Sequence, residues 1–184
     1  MPNDLYPSAV VNHTGNVKIN AQSRDQEAFG VYVHSAKPNK ESGTDQGGAA
    51  NFSKELNIKA VSANSNATGI FVSGAPITDE NGEVLFTSGQ ASVNTSGDTT
   101  IVAAGKTASY ALNAEADGQI TVGSTGKTVH LTGDIVAKND GVINIAGKTN
   151  TINGIVKAVD GGTVNLSGAS DAVYNNININ SFVT

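Results

Sequence analysis

Residues 105–167 read GKTASYALNAEADGQITVGST, GKTVHLTGDIVAKNDGVINIA and GKTNTINGIVKAVDGGTVNLS, three blocks of 21 residues that each open on Gly-Lys-Thr. A fourth glycine, Gly168, keeps the same step. Stacking the blocks collects like residues into columns: Tyr110, Leu131, Ile152 and Val173; Val93, Ala114, Ile135, Val156 and Ile177; Ala116, Ala137, Ala158 and Ile179; Ile101, Val122, Ile143 and Val164. Within a block the apolar columns stand two apart, which is the alternation of a strand with one buried face. β-Branched residues dominate and Gly or Asn recurs every few residues, so a helix is excluded. Each block predicts one coil of about three short strands, with corners at Asp117-Gly118, Asp140-Gly141 and Asp160-Gly161, where Gly takes a positive φ and Asp bonds its neighbouring backbone.

The first half repeats more loosely, with a step of 39. VKINAQSRDQEAFGVYVHSA (17–36) aligns without gaps to LNIKAVSANSNATGIFVSGA (56–75). Tyr32, Phe71 and Tyr110 continue that step, as do Ala36, Ala75 and Ala114. Between the aligned units lie KPNKESGTDQGGAA (37–50) and PITDENGEVLFTSGQ (76–90), which read as loops protruding from a stack. The chain thus divides into a lead-in or cap (1–16), loop-bearing coils (17–92) and regular 21-residue coils (93–184). An all-β solenoid follows, its strands running parallel from coil to coil. Roughly eight coils at about 4.8 Å each give a rod on the order of 40 Å. Asn144 and Asn165, one repeat apart, are placed to form an outward ladder. Tyr32, Phe71 and Tyr110, flanked by Val31, Val33, Ile70 and Val72, are assigned to the core.

Composition fits such a stack. The 184 residues include 21 Gly, 21 Asn, 17 Thr and 16 Ser but no Cys and no Trp, and 38% are hydrophobic. That is too few large apolar groups for a conventional core and too many for a disordered tail. A formal net charge of −5 argues against nucleic acid as a partner. Zero cysteine excludes disulfides and thiolate metal sites. No apolar run reaches the roughly 20 residues of a helical membrane span, and MPNDLYPSAVVNHTG lacks a signal-peptide pattern. Either a cytosolic chain or a processed or cloned fragment is expected.

Chemistry-bearing motifs are sparse. The Gly-Lys-Thr triplets are not phosphate loops, because Thr100, Thr121 and Val142 stand where the leading glycine is required. His13, His34 and His130 share no metal-ligand spacing, and no Gly-x-Ser-x-Gly elbow occurs. No catalytic residue, cofactor or metal is therefore expected. The candidate binding residues are those of the two loops: Lys37, Asn39, Lys40, Glu41 and Asp45 in the first, Asp79, Glu80, Asn81 and Glu83 in the second. The terminal run VYNNININSFVT (173–184) is β-prone and nearly uncharged, an edge expected to associate end to end.

The motifs DGGTVNLSG (160–168), NDGVINIAG (139–147) and ATGIFVSG (67–74) resemble passenger-domain repeats of bacterial autotransporter adhesins, of the pertactin-like and self-associating type, over about 17–180. The resemblance implies a right-handed parallel β-helix displayed on the surface of a Gram-negative cell. In that family a signal peptide precedes the passenger and an outer-membrane barrel follows it, so anchoring would come only through a C-terminal barrel outside this sequence. It further implies adhesion, either to a host surface glycan or matrix protein or to the same protein on a neighbouring cell. A β-helix enzyme acting on polysaccharide and a non-binding structural stalk are the alternative expectations.

Overall fold

The structure, a computed structural model, describes residues 9–38, 47–168 and 171–179. Those residues form strands and no helix. The strands are β1 (Val10–His13), β2 (Val17–Ser23), β3 (Ala28–His34), β4 (Ala36–Pro38), β5 (Gly48–Phe52), β6 (Leu56–Ser62) and β7 (Ala67–Ser73). Next come β8 (Ile77–Thr78), β9 (Val84–Ser88), β10 (Ala91–Thr95), β11 (Thr99–Gly105), β12 (Ser109–Glu115) and β13 (Gly118–Val122). The last are β14 (Thr128–Thr132), β15 (Asp134–Lys138), β16 (Val142–Ile145), β17 (Thr149–Val159), β18 (Thr163–Leu166) and β19 (Asp171–Ile179).

Among the described residues all pairings are parallel except those of a small sheet in the order β4-β9-β8. One sheet runs β1-β5-β10-β13-β16-β18. A larger one has two arms that meet in β17: β2, β6, β11 and β14 lead to its first half, and β3, β7, β12 and β15 to its second. β19 pairs along both halves of β17. Three strand stacks result, each six rungs deep among the described residues. Six rungs replace the eight coils expected from chain length, and about 4.8 Å between rungs gives about 24 Å from first to last. The two loops and the longer corners account for the chain that eight coils would have used.

Register corrects the column alignment. The step is 39 residues between the first two rungs (Ile19↔Ile58) and 43 between the next two (Ile58↔Ile101). It falls to 30 for Ile101↔Leu131, 23 for Ile120↔Ile143, and 21 for Leu131↔Ile152 and Ile143↔Val164. The 21-residue step therefore begins at the second Gly-Lys-Thr. Upstream of it Val93 pairs with Ile120 rather than Ala114, Ile101 with Leu131 rather than standing in the column of Val122, and Tyr110 with Thr68 rather than Phe71. The cause is corner length: from Val122 to Thr128 the chain takes six steps, whereas the paired Ile145 reaches Thr149 in four. Gly105 ends β11 at a different corner from Gly126 and Gly147, so Lys106 does not share a column with Lys127 and Lys148.

The inward columns meet in one core. Ile120 and Ile143 from the first stack, Ile101, Leu131 and Ile152 from the second, and Ile70, Leu112 and Ile135 from the third are all essentially inaccessible and form a single cluster. Several buried polar groups sit at the corners and find partners there. Thr95 and Thr99 share a hydroxyl bond of 2.9 Å, and the Thr95 hydroxyl also accepts from Gly123 N at 3.0 Å. Asn150, fully buried, accepts from Gly147 N at 3.1 Å.

At the corner from the third stack back to the first the expected bends are present, with Gly161 at the expected positive φ, whereas Gly118 and Gly141 act differently. The positive φ values belong to Ala116 (48°), Asp117 (62°), Asn139 (49°), Asp140 (63°), Asp160 (49°) and Gly161 (80°). Gly118, Gly141 and Gly162 follow these turns, and a Cβ on each would run into the carbonyl oxygen of the rung beneath: Val72, Ala114 and Ala137 respectively. The glycine is needed for close backbone approach, while the preceding pair supplies the left-handed turn.

Candidate functional site

Three outward features rise from this frame. The first combines the two loops singled out in the sequence. β4, from the first loop, pairs with β9, from the second, and β9 pairs with β8, so a three-stranded antiparallel flap stands off the parallel stacks. Lys37 lies in β4 opposite Thr87, and Asp79, Glu80, Asn81 and Glu83 form the turn between β8 and β9. Asn39, Lys40, Glu41 and Asp45 lie outside the described residues. Ile77, Val84, Leu85 and Phe86 leave the flap with exposed apolar surface.

Asp79 shapes the turn. Its Oδ1 accepts from Asn81 N and Glu83 N, both at 2.8 Å, its own N–H donates to the Glu83 carbonyl at 3.0 Å, and Gly82 takes a φ of 82°. The bond from Glu83, with help from Asn81, holds the Asp79 carboxyl below its ordinary value of 3.8. A carboxyl depressed in the folded state stabilises the turn above the ordinary value and ceases to do so as pH falls through the folded one. Amide exchange at Asn81 and Glu83 is therefore expected to be slow at neutral pH and to quicken relative to the parallel rungs as the medium is acidified below 3.8, and Asp79→Asn is expected to remove that pH dependence. The Asp79 carboxylate thus caps the turn, and among the described residues no group of three or more His, Asp or Glu is arranged to hold a metal ion.

The second feature is an amide ladder along the first stack. Asn12, Asn51, Asn94, Thr121, Asn144 and Asn165 occupy one outward column through all six rungs. Asn51 Nδ2 donates to Asn12 Oδ1 at 2.9 Å, Asn94 Nδ2 to Asn51 Oδ1 at 2.9 Å, Asn144 Nδ2 to Thr121 Oγ1 at 3.5 Å and Asn165 Nδ2 to Asn144 Oδ1 at 2.8 Å. Each of these donors points toward the N-terminal rung. The parallel outward column is Val10, Ala49, Ser92, Gln119, Val142 and Thr163, and neither column carries a charge. The pair Asn144 and Asn165 was legible from the 21-residue step. The other four members were hidden by steps of 39, 43, 27 and 23. Thr121 is the one rung of this column without an amide. Thr121→Asn is expected to close the gap to Asn94 Oδ1 and shorten the bond from Asn144, raising stability by about 0.5–1.5 kcal/mol in denaturant unfolding.

The third feature is aromatic. Tyr32 and Phe71 are not core residues: their flanking Val31, Val33, Ile70 and Val72 point inward, so alternation turns the rings out, and Tyr32 is 55% exposed. Gly30 and Gly69 drop out of the register between neighbouring rungs, and Ala111 does so on the third. A Cβ on Gly30 would strike Ile58 and one on Gly69 would strike Ile101, so both positions face the core closely. The irregularity shifts the alternation by one residue and brings Phe29 and Tyr32 to the same outward side. Their ring centroids are 5.1 Å apart and edge-on, Phe29 and Phe71 are 5.6 Å apart and edge-on, and Tyr32 stacks on Phe71 at 5.1 Å with 15° between planes. Tyr110 follows Thr68 in the column of Phe29, and Asn113 follows Phe71 in the column of Tyr32. Asn113 is 8% exposed, and its Oδ1 is buried with no hydrogen-bond partner. Thr68 donates from its hydroxyl to Glu27 Oε1 at 3.1 Å, and Lys138 pairs with Glu115 at 2.6 Å.

A shallow cavity of about 180 Å³ lies where the first loop returns to the stack, lined by Gly47, Gly48, Gln90, Ala91, Ser92 and Gln119, none of them ionisable. Comparison with protein-family models, with curated proteins and with solved structures gives no match.

Proposed function

We propose that the chain is a segment of a right-handed parallel β-helix that serves as an adhesive module on a cell surface, in the manner of an autotransporter passenger. Three stacks of parallel strands visited in a fixed order support the solenoid, and parallel crossovers are overwhelmingly right-handed. The repeats that resemble autotransporter passengers support the placement on a Gram-negative surface.

The observation that carries the adhesive reading is the amide face of the first stack. An asparagine that spends one N–H and one lone pair along the ladder keeps a second N–H and a second lone pair for a partner. Five such amides and one threonine on six rungs, free of charge, offer many individually weak bonds to a similar face. Mutual repulsion of copies carrying −5 each is screened beyond about 8 Å at physiological salt, so an uncharged contact face is what close approach requires.

The test is settling of cells that display the passenger with and without this segment, in a host lacking other adhesins. Loss of settling without the segment, at equal display, supports the reading, and Asn94→Lys with Asn165→Lys should reproduce that loss while circular dichroism stays that of folded β-structure. Unchanged settling on deletion rejects self-association and leaves a host ligand or a stalk.

A further inference from the structure

We propose that Asn81, at the tip of the flap, is a site of spontaneous covalent modification, in which the main-chain nitrogen of Gly82 closes on the Asn81 side-chain amide and leaves isoaspartate or aspartate, loosening the flap as the molecule ages. The amide face of the first stack takes no part in this chemistry, so either reading can fail alone.

The chain holds two Asn-Gly pairs, Asn81-Gly82 and Asn153-Gly154. In each, the missing side chain of the glycine leaves its nitrogen open to approach. The reaction begins when that nitrogen gives its proton to hydroxide and attacks the asparagine Cγ. A C–N bond forms, the bond from Cγ to the side-chain nitrogen breaks, and ammonia leaves with a proton from water, which restores the hydroxide. Water then opens the five-membered succinimide: attack at Cγ gives aspartate, and attack at the main-chain carbonyl gives isoaspartate. Both groups belong to adjacent residues, so the rate is set by how readily the main chain turns until the nitrogen faces Cγ.

Both asparagines are exposed, so exposure does not distinguish them. The backbone does. Asn153 lies within β17, paired with Thr132, and its carbonyl accepts from Gly133 N at 2.9 Å. Gly154 packs so closely on the rung beneath that a Cβ there would strike the Gly133 carbonyl. Turning the chain at that point means breaking a rung. Asn81 stands in the turn between β8 and β9, and the space round Gly82 is open: a Cβ there would meet nothing within 4 Å. Asp79 holds this turn, its Oδ1 accepting from Asn81 N and Glu83 N and its carbonyl accepting from Gly82 N at 3.1 Å. That last bond engages the nucleophile itself, so the reaction waits on the opening of the turn, and the Asp79 cap sets its rate. A small exposed turn opens at a lower free energy than a parallel rung.

The product alters the flap in two ways. Isoaspartate carries the main chain through its side-chain carbon, and the added methylene displaces Glu83 N from Asp79 Oδ1. Either product places a new carboxylate beside Asp79, Glu80 and Glu83 in a chain whose net charge is already −5, and like charges across so short a turn repel. Three short antiparallel strands have little else to hold them closed.

The test ages the purified 184-residue chain in mildly alkaline buffer and maps its peptides by mass spectrometry, with aspartyl and isoaspartyl forms separated by chromatography. In the folded chain Asn81 is expected to be converted at least about tenfold faster than Asn153, and the two rates to converge in denaturant. Asp79→Ala, which removes the cap, should speed conversion at Asn81 several-fold and leave Asn153 unchanged. Amide exchange at Glu83 should be faster in aged than in fresh protein while exchange in β16 stays the same. Aged Asn81→Gln, whose longer side chain closes a ring far more slowly, should keep the exchange of fresh protein. Equal rates at Asn81 and Asn153 in the folded chain overturn the site, and a rate at Asn81 that Asp79→Ala leaves unchanged overturns control by the cap. Converted protein whose Glu83 amide exchanges as in fresh protein overturns the loosening.

Discussion

Truncating Ile143 to alanine is expected to cost about 2–5 kcal/mol. Its side chain is fully buried in β16, with Ile120 on the rung before and Val164 on the rung after. The truncation opens a cavity whose walls cannot collapse, because each is a backbone rung held by parallel hydrogen bonds on both sides. The neighbouring Val142 faces outward and is half-buried, so Val142→Ala is expected to cost about 1 kcal/mol or less. The pair measured by denaturant unfolding separates packing from strand propensity, since both positions share one strand. Equal losses would contradict the inward assignment. Because each rung contacts only its neighbours, hydrogen exchange should show the Ile143 variant fraying first toward β18 and β19.

Gly141→Val is expected to be at least as severe, costing about 3 kcal/mol or more, because its Cβ would enter the space of the Ala114 carbonyl oxygen and carbon. That obstacle is backbone, fixed by the rung beneath, and has no rotamer to yield. Gly126 is the control: it has a φ of 87°, but a Cβ there would meet nothing within 4 Å, so Gly126→Ala should lose only the left-handed penalty of about 1–2 kcal/mol. Melting temperatures of the two variants should differ clearly. If they fall equally, the glycines following these turns serve chain flexibility and not close approach.

How far the sequence could be read depended on how local each cause was. Val17, Ile19 and Ala21 alternate with Lys18, Asn20 and Gln22, and the structure buries the first set more than the second. The same rule, applied to Val31-Tyr32-Val33 and Ile70-Phe71-Val72, already turned the rings outward. Their size suggested a core instead, and the interior is filled by their Val and Ile neighbours. The loops 37–50 and 76–90 were legible as insertions from their polarity and their place outside the repeats. Their union into one flap was not, because Pro38 at the end of β4 and Val84 at the start of β9 are far apart in the chain and the strands pair only once the stack has brought them to one corner.

The amino-acid sequence by itself determined that the chain is all β, that its strands run parallel from one repeat to the next, and where its loops leave the stack, because alternation and turn chemistry act over a few residues. Only the tertiary structure decided which residues share a column. Corners of unequal length make the step 39, 43, 27 and then 23 and 21 residues along the first stack, and hydrogen bonding between rungs pairs residues by position in space. The continuous amide ladder and the grouping of four aromatic rings with an unpaired asparagine are both products of that pairing.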